Sequence, residues 1–292
     1  MKRLRARLFV GLQYLLPRYL MTALFYRLSR VRQPAIKNLL IRGFTRIFDV
    51  DTAEADNPVP DGYPTFNAFF TRALVPGARE VAAGDDVLAC PADGKVSEAG
   101  VVERGRLLQA KGIDYALEDL LATDLDDVER YAGGRFVTIY LAPHNYHRVH
   151  APAAGRLTAM RYVPGELFSV NDATAQVLPG LFARNERLVC HVDTAFGGYG
   201  LVFVGALNVG SITTPWTGEI RPRRAGVVQE LEIAKSDVTL ELAKGDLLGW
   251  FNMGSSVIVL LPRGAGELRD DLAHGLAVRM GEPLATLGRS AP

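Results

Sequence analysis

Three of the chain's five histidines, His144, His147 and His150, fall within seven residues. Imidazole is the side chain that titrates near neutrality, so the cluster points to general acid–base chemistry. A zinc site would need three or four converging ligands. His-x-x-His-x-x-His converges only on a helix, and Pro143 and Pro152 bracket a segment too short for one, so no metal is expected. In an extended segment His147 and His150 point to opposite faces and should not share one task. Two further stretches carry the remaining chemistry. Asp93-Gly94 follows Cys90-Pro91-Ala92 in a turn, where an aspartate ordinarily bonds its own backbone. Gly254-Ser255-Ser256 ends a polar turn and runs straight into Val257-Ile258-Val259-Leu260-Leu261, which reads as a buried strand. Carboxylate, imidazole and hydroxyl are together the residue types of nucleophilic acyl chemistry. Each stretch alone is equally compatible with an ordinary turn or a histidine that has no role.

The elements that must position these residues are mostly strands. The alternating, β-branched run Phe136-Val137-Thr138-Ile139-Tyr140-Leu141 leads into the histidines. Strands are expected over 156–163, 187–193, 200–208, 227–233 and 239–242, with Gly197-Gly198 as a hairpin turn. Residues 65–72 read as a short helix capped by Thr65, with three phenylalanines on one side. Residues 49–62 are acidic and proline-rich and read as a linker. Residues 111–121 read as a loop leading into a helix. There is no internal repeat, nucleotide-binding fingerprint or Gly-x-Ser-x-Gly elbow. The pattern is α+β, with a β-rich core and helices at the N-terminus and in the middle. Cys90 and Cys190 have no ligand spacing and imply a reducing compartment.

Charge sets the N-terminus apart. Residues 1–48 hold 11 Lys/Arg and no acid, whereas the rest carries 22 basic and 32 acidic residues. Such a split implies an anionic partner surface. Apolar spacing separates lipid from nucleic acid. Leu4, Leu8, Leu12 and Leu15 form one stripe, and Leu20, Leu24, Leu28 and Val31 a second. Ile36, Leu39, Leu40, Gly43, Phe44 and Ile47 form a third, with Pro34 in the first turn. Basic amphipathic helices lying in a membrane interface have this pattern, and a nucleic-acid arm does not need it. The competing reading packs the stripes on the core. Uncharged runs at 8–17 and 19–26 are far short of the roughly 20 residues of a membrane span, and Arg18 and the lack of a small-residue cleavage site argue against a secretory signal.

Several motifs, in order, resemble the bacterial membrane-associated phosphatidylserine decarboxylases. They are Thr65-Phe66-Asn67-Ala68-Phe69-Phe70-Thr71-Arg72, Pro91-Ala92-Asp93-Gly94, Lys111-Gly112-Ile113-Asp114-Tyr115 and Tyr146-His147-Arg148-Val149-His150. Tyr162-Val163-Pro164-Gly165-Glu166-Leu167-Phe168-Ser169-Val170-Asn171 and Gly249-Trp250-Phe251-Asn252-Met253-Gly254-Ser255-Ser256 complete the set, which spans roughly residues 60–262. The resemblance implies a proenzyme that cuts itself between Gly254 and Ser255. Residues 1–254 become a β chain and 255–292 an α chain bearing a pyruvoyl group derived from Ser255. It implies that Asp93 and His150 activate Ser255, and that the pyruvoyl takes the amine of phosphatidylserine as a Schiff base and acts as electron sink for loss of CO2. His147 is then the expected proton donor, and His144 lies outside the motif. The implied partners are phosphatidylserine, anionic membrane lipid and the protein's own second chain, with room for pairing of two such heterodimers and no nucleic acid. The implied place is the cytoplasmic side of the cell membrane, held by residues 1–48, with residues 49–292 as the catalytic domain. A serine hydrolase using Asp93, His150 and Ser255 on an external ester is the alternative enzyme. A non-catalytic peripheral membrane protein is the alternative of another class.

Overall fold

The computed structural model describes residues 2–123, 125–208, 210–223, 226–233 and 240–288; Thr239, the start of one expected strand, lies outside them. The fold is α+β, with mostly antiparallel sheets and helices at the N-terminus. The apolar run after Ser255 becomes the strand Ser255–Leu261, which is buried at every residue. It pairs antiparallel on one side with Arg135–Leu141 and on the other with Tyr199–Val204. Around this centre the nine-stranded sheet extends through Arg187–Asp193 and Gly155–Val163 on one flank. Gly94–Val101 and Ala277–Val278 extend the other. Val137, Ile139, Val257, Ile258, Val259, Val202 and Phe203 fill its centre. Two of the expected strands come out shorter: one ends at Val204, where Gly205 donates to the Glu186 carbonyl, and another is reduced to Gln229–Glu230.

A four-stranded sheet abuts the first, in the order Gly218–Ile220, Ile212–Thr214, Leu247–Phe251 and Arg148–His150. The chain crosses between the two sheets twice at one place. It leaves the large sheet at Leu141 and enters the small one at Arg148. It leaves the small sheet at Phe251 and re-enters the large one at Ser255. The two crossings are stitched together where Phe251 N–H donates to the His147 carbonyl at 3.2 Å. Both candidate stretches therefore turn at the same corner.

The three leucine-rich stripes form the helices Lys2–Leu15, Arg18–Ser29 and Pro34–Phe48. Pro17 separates the first two, and the Gln33 side chain caps the third by accepting from Ile36 N–H. No single helix is long and apolar enough to cross a membrane, and the first two are bent by 81° relative to each other. Their inward residues are Ala6, Val10 and Gln13, then Thr22 and Ser29, then Lys37 and Ile41. Their leucines face out: Leu8 is 67% exposed, Leu15 83% and Leu39 73%. The stripes are thus not the face that packs on the core. The helices are nonetheless built into the protein. Val10 joins the main core, and Ile41 packs with Tyr63, Phe66, Phe69 and Phe70 in a second cluster.

Two substitutions on the third helix distinguish its faces. Ile41→Ala should lower unfolding free energy by about 2–5 kcal/mol, the range for truncating a buried aliphatic. Leu39→Ala should stay within about 0.5 kcal/mol of the parent, as for an exposed surface position. Denaturant unfolding of both variants reads the difference.

Candidate active site

The corner between the sheets is held from three directions. The helix Phe66–Phe70, capped as expected by Thr65 Oγ1 accepting from Ala68 N–H, lies against it. Asn67 Nδ2 donates to the Asn252 carbonyl at 3.0 Å. The buried Asn252 amide donates to Ser211 Oγ at 2.7 Å and Thr213 Oγ1 at 2.9 Å, which fixes the turn to the small sheet. Arg148 Nε donates to the Thr71 carbonyl at 2.9 Å. Thus Asn67 and Asn252, quoted only as parts of motifs, are the side chains that hold the turn. A buried amide four residues after a glycine is their only signal in the sequence.

Ser255 begins the central strand and is fully buried, and its hydroxyl has no hydrogen-bond partner among the described residues. A buried hydroxyl without a partner costs about 1–3 kcal/mol, so Ser255 is held in a state that packing alone does not reward. Ser256 shares that feature. The preceding Gly254 is not forced to be glycine by the backbone. A Cβ there would meet the Leu141 carbonyl at 3.5 Å and His147 Cε1 at 3.8 Å, both ordinary contacts. Glycine instead leaves the carbonyl of residue 254 open to attack.

His147 is the imidazole at this bond. It is fully buried, stacked on Phe70 with ring centroids 4.1 Å apart, and its edge faces Gly254. The carbonyls of Pro143 and Ala142 approach the ring, but neither nitrogen has a hydrogen bond of normal geometry among the described residues. Burial, reinforced by the Arg72 guanidinium, pushes its pKa down to about 3. It is therefore neutral at pH 7.

His150 lies on the strand Arg148–His150 in a different environment. Its Nδ1 lies 2.8 Å from the Gly245 carbonyl, an acceptor, so Nδ1 carries the proton. Nε2 is then the free lone pair and accepts from the Tyr146 hydroxyl at 2.9 Å. That is the tautomer of a general base. Burial lowers its pKa, and the Gly245 carbonyl and the Asp93 charge pull it partly back up. The two histidines of the motif occupy separate sites, as their spacing implied.

Asp93 is seated by Gly94, where a Cβ would come within 2.4 Å of the Tyr140 carbonyl. Its carboxylate accepts from Arg79 through Nε at 2.9 Å and NH2 at 2.5 Å, and from Met280 N–H at 2.8 Å. Arg79 also binds Glu54. Asp93 thus acts on His150 through its charge. No hydrogen bond among the described residues joins Asp93 to His150, or His150 to Ser255. His144 contributes only its carbonyl, a long 3.5 Å acceptor for Arg72.

A cavity of about 510 Å³ opens on Gly254. Tyr140, Ser169, Val170 and Asn171 form its polar wall, and Phe25, Phe44 and Phe48 close it from the N-terminal helices. The first helix grips the polar wall: Gln13, 1% exposed, accepts from Ser169 N–H at 2.8 Å, and Arg18 pairs with Glu166 and stacks 3.7 Å over Phe168. The cavity offers one amphipathic chamber, with the reacting bond at its base and aromatic rings on the side of the exposed leucines. No group of three metal-ligating side chains exists among the described residues.

Comparison with known proteins gives this geometry a context. The family model described as phosphatidylserine decarboxylase matches residues 66–286, and a model described as PSD matches residues 8–49. The chain is 46% identical over 286 residues to a phosphatidylserine decarboxylase proenzyme of Methylococcus capsulatus, covering 98% of this chain and 99% of the relative. It is 45% identical to the proenzyme of that name from Delftia acidovorans, covering 96% and 97%. It is 44% identical to that of Vibrio cholerae, covering 94% and 97%.

The neutral, buried His147 makes a pH prediction. Its folded pKa of about 3 lies below the ordinary 6.5, so the unfolded chain binds the extra proton between those values. Stability should fall as pH drops from 6.5 towards 3, by at most about 1.4 kcal/mol per pH unit from this group. His147→Gln should flatten that part of the profile. Chemical unfolding of parent and variant at pH 7 and pH 5 measures it.

Proposed function

The chain belongs to the phosphatidylserine decarboxylase family, and we propose that it converts phosphatidylserine to phosphatidylethanolamine and CO2 with a pyruvoyl group made from its own Ser255. One observation carries the reading of the site. A buried, unpartnered serine hydroxyl begins the central strand directly after an accessible glycine carbonyl, at the base of an amphipathic cavity.

Self-cleavage uses only residues of the chain. Ser255 Oγ gives up its proton to a base and bonds to the Gly254 carbonyl carbon, the peptide C–N bond breaks, and an ester replaces it. Loss of the Ser255 α-proton then expels the Gly254 carboxylate. Hydrolysis of the resulting dehydroalanine releases ammonia and leaves the pyruvoyl at the head of residues 255–292. His150 is the base in this reading: its Nε2 lone pair is exposed once Tyr146 turns aside, and the Asp93 charge favours the imidazolium that forms. His147 is the rival base, favoured by its position against Gly254.

When in place, the pyruvoyl supplies the electron sink for loss of CO2. The chain supplies the rest. Leu141, Phe70 and Met253 keep water from the reacting end of the cavity. Tyr140, Ser169 and Asn171 offer hydroxyls and an amide to the polar headgroup, and Phe25, Phe44 and Phe48 flank the acyl side. His147 donates the proton that replaces CO2. It is neutral before substrate enters, and an anionic headgroup in the cavity favours its protonation. The cut pieces stay together because strands of residues 255–288 pair with strands of the larger piece in both the central sheet and the Val87–Ala89 sheet.

The outward leucines and the 11 cations of residues 1–48 seat the protein on the anionic cytoplasmic face of the membrane. Self-cleavage and seating are separable in this reading.

His150→Ala should remain a single chain, with self-cleavage slowed about 10²–10⁴-fold, the usual worth of a general base. His147→Ala should cleave and then fail to decarboxylate. Denaturing mass spectrometry and CO2 release read the two steps; an uncleaved His147→Ala beside a cleaved His150→Ala would transfer the base role to His147. The membrane reading has its own test. Leu8→Ser, Leu15→Ser and Leu39→Ser together should leave cleavage intact and abolish sedimentation with anionic liposomes. Truncation of residues 1–48 is a poorer test, because Val10 and Ile41 belong to the packed clusters.

A further inference from the structure

The second helix has a polar groove on the side away from the substrate cavity. Tyr19, Thr22, Ala23, Tyr26 and Arg27 line it from the helix, and Gly210, Arg221 and Pro222 close it from the segment before and after the small sheet's edge; it encloses about 510 Å³. Two guanidinium groups border it. That of Arg27 makes no ion pair or hydrogen bond among the described residues, and it lies at the exposed edge of the helix. That of Arg221 meets only the Tyr26 hydroxyl and stacks 4.4 Å from the Tyr26 ring. The nearest acid, Glu219, is already engaged by Arg30, Tyr26 and Ser211. The groove therefore carries two uncompensated positive charges.

Its place on the helix says what could fill it. Residues 19, 22, 23 and 26 form the groove wall, and Leu20, Leu24 and Leu28 lie on the neighbouring face, about 100° round the axis. Those leucines are exposed, at 58%, 55% and 43%. A lipid whose chains lie beside the leucines would bring its phosphate to the height of Arg27 and Arg221. A free phosphate would use the charges but leave the apolar flank without a partner.

We propose that this groove binds the phosphate of an anionic membrane phospholipid that is not the substrate. The inference rests on the membrane reading above. The site is distinct from the substrate cavity, which the same helix walls on its other side through Phe25. A lipid held there would fix the helix that closes the catalytic chamber.

The test compares the self-cleaved protein on phosphatidylcholine vesicles with and without phosphatidylglycerol, which lacks the amine a substrate needs. Arg27→Gln/Arg221→Gln is set against Arg42→Gln/Arg46→Gln, which removes the same charge from the exposed side of the third helix. Each well-placed guanidinium strengthens binding to an anionic leaflet about fivefold, and the groove pair together about thirtyfold. The groove variant should lose about that much of the preference for phosphatidylglycerol and keep its phosphatidylcholine binding, while the control variant loses clearly less. Equal losses in the two variants would overturn the site in favour of diffuse charge. Displacement of the parent from phosphatidylglycerol vesicles by inorganic phosphate at constant ionic strength, with no such effect on the groove variant, would overturn the lipid as occupant. Absence of parent binding to either vesicle would instead overturn the membrane reading itself.

Discussion

Everything in the site depends on how firmly Ser255–Leu261 is held. The strand is buried at each residue and hydrogen-bonded to a neighbour along both edges. A strand so placed cannot shift register without moving its whole side-chain set to the wrong face. Ser255 is thus fixed by the sheet, whereas Gly254, one residue earlier, has left it. The bond between them joins the most constrained part of the fold to a turn held by the side chains of Asn67 and Asn252. Cutting it removes a tether the sheet does not need. The new terminus stays where the old hydroxyl was, because the hydrogen bonds on both edges are untouched. A cofactor made from the chain's own backbone is in this way positioned by main-chain pairing, a more rigid support than a loop or a long side chain provides.

Burial then divides the labour among ionisable groups. His147 sits in an apolar pocket against Phe70, and the Arg72 guanidinium behind it discourages a second positive charge. His150, a few residues on, has acceptor and donor partners that define its tautomer. Asp93 is held ionised by Arg79 and a backbone N–H. The Arg79 pairing also partly neutralises the carboxylate, so its influence on His150 is weaker than that of a directly bonded aspartate. The proenzyme state therefore keeps its components close but unjoined. Turning the Tyr146 hydroxyl away from Nε2 is the smallest change that would free the base.

Much of this could be read from the residues. The strand run after Ser255, the capped helix at Thr65 and the three N-terminal helices follow from periodicity and capping chemistry, which act over a few residues. The opposite surroundings of His147 and His150 follow from the two-residue repeat of a strand. The corner does not follow from any local pattern. It arises because the chain changes sheets twice, and only the pairing of Phe251 with His147 shows that the changes coincide. The partners of Asp93 were equally hidden: Arg79 and Met280 lie far apart in sequence, and neither belongs to a motif. The stripes gave the helices but not their orientation, since a leucine stripe packs on a core as readily as it faces a membrane.

That orientation is the strongest physical argument for an interfacial protein. Burying a leucine side chain is worth about 1.5–3 kcal/mol, and these helices forgo that for most of their leucines while burying Gln13, Thr22, Ser29 and Lys37. The buried polar groups are not idle. Lys37 donates to the Pro60 carbonyl, Thr22 accepts from Asn208 N–H, and Gln13 fixes Ser169. Each ties a helix to a segment of the catalytic core, and Ser169 and Asn208 both line the chamber above Gly254. The same helices therefore present apolar area outward and set the chamber wall inward. A lipid substrate meets both functions at once: the surface that draws the protein to the bilayer is continuous with the aromatic side of the cavity its headgroup must enter. Loosening the polar ties would uncouple docking from the shape of the chamber even if every leucine stayed in place.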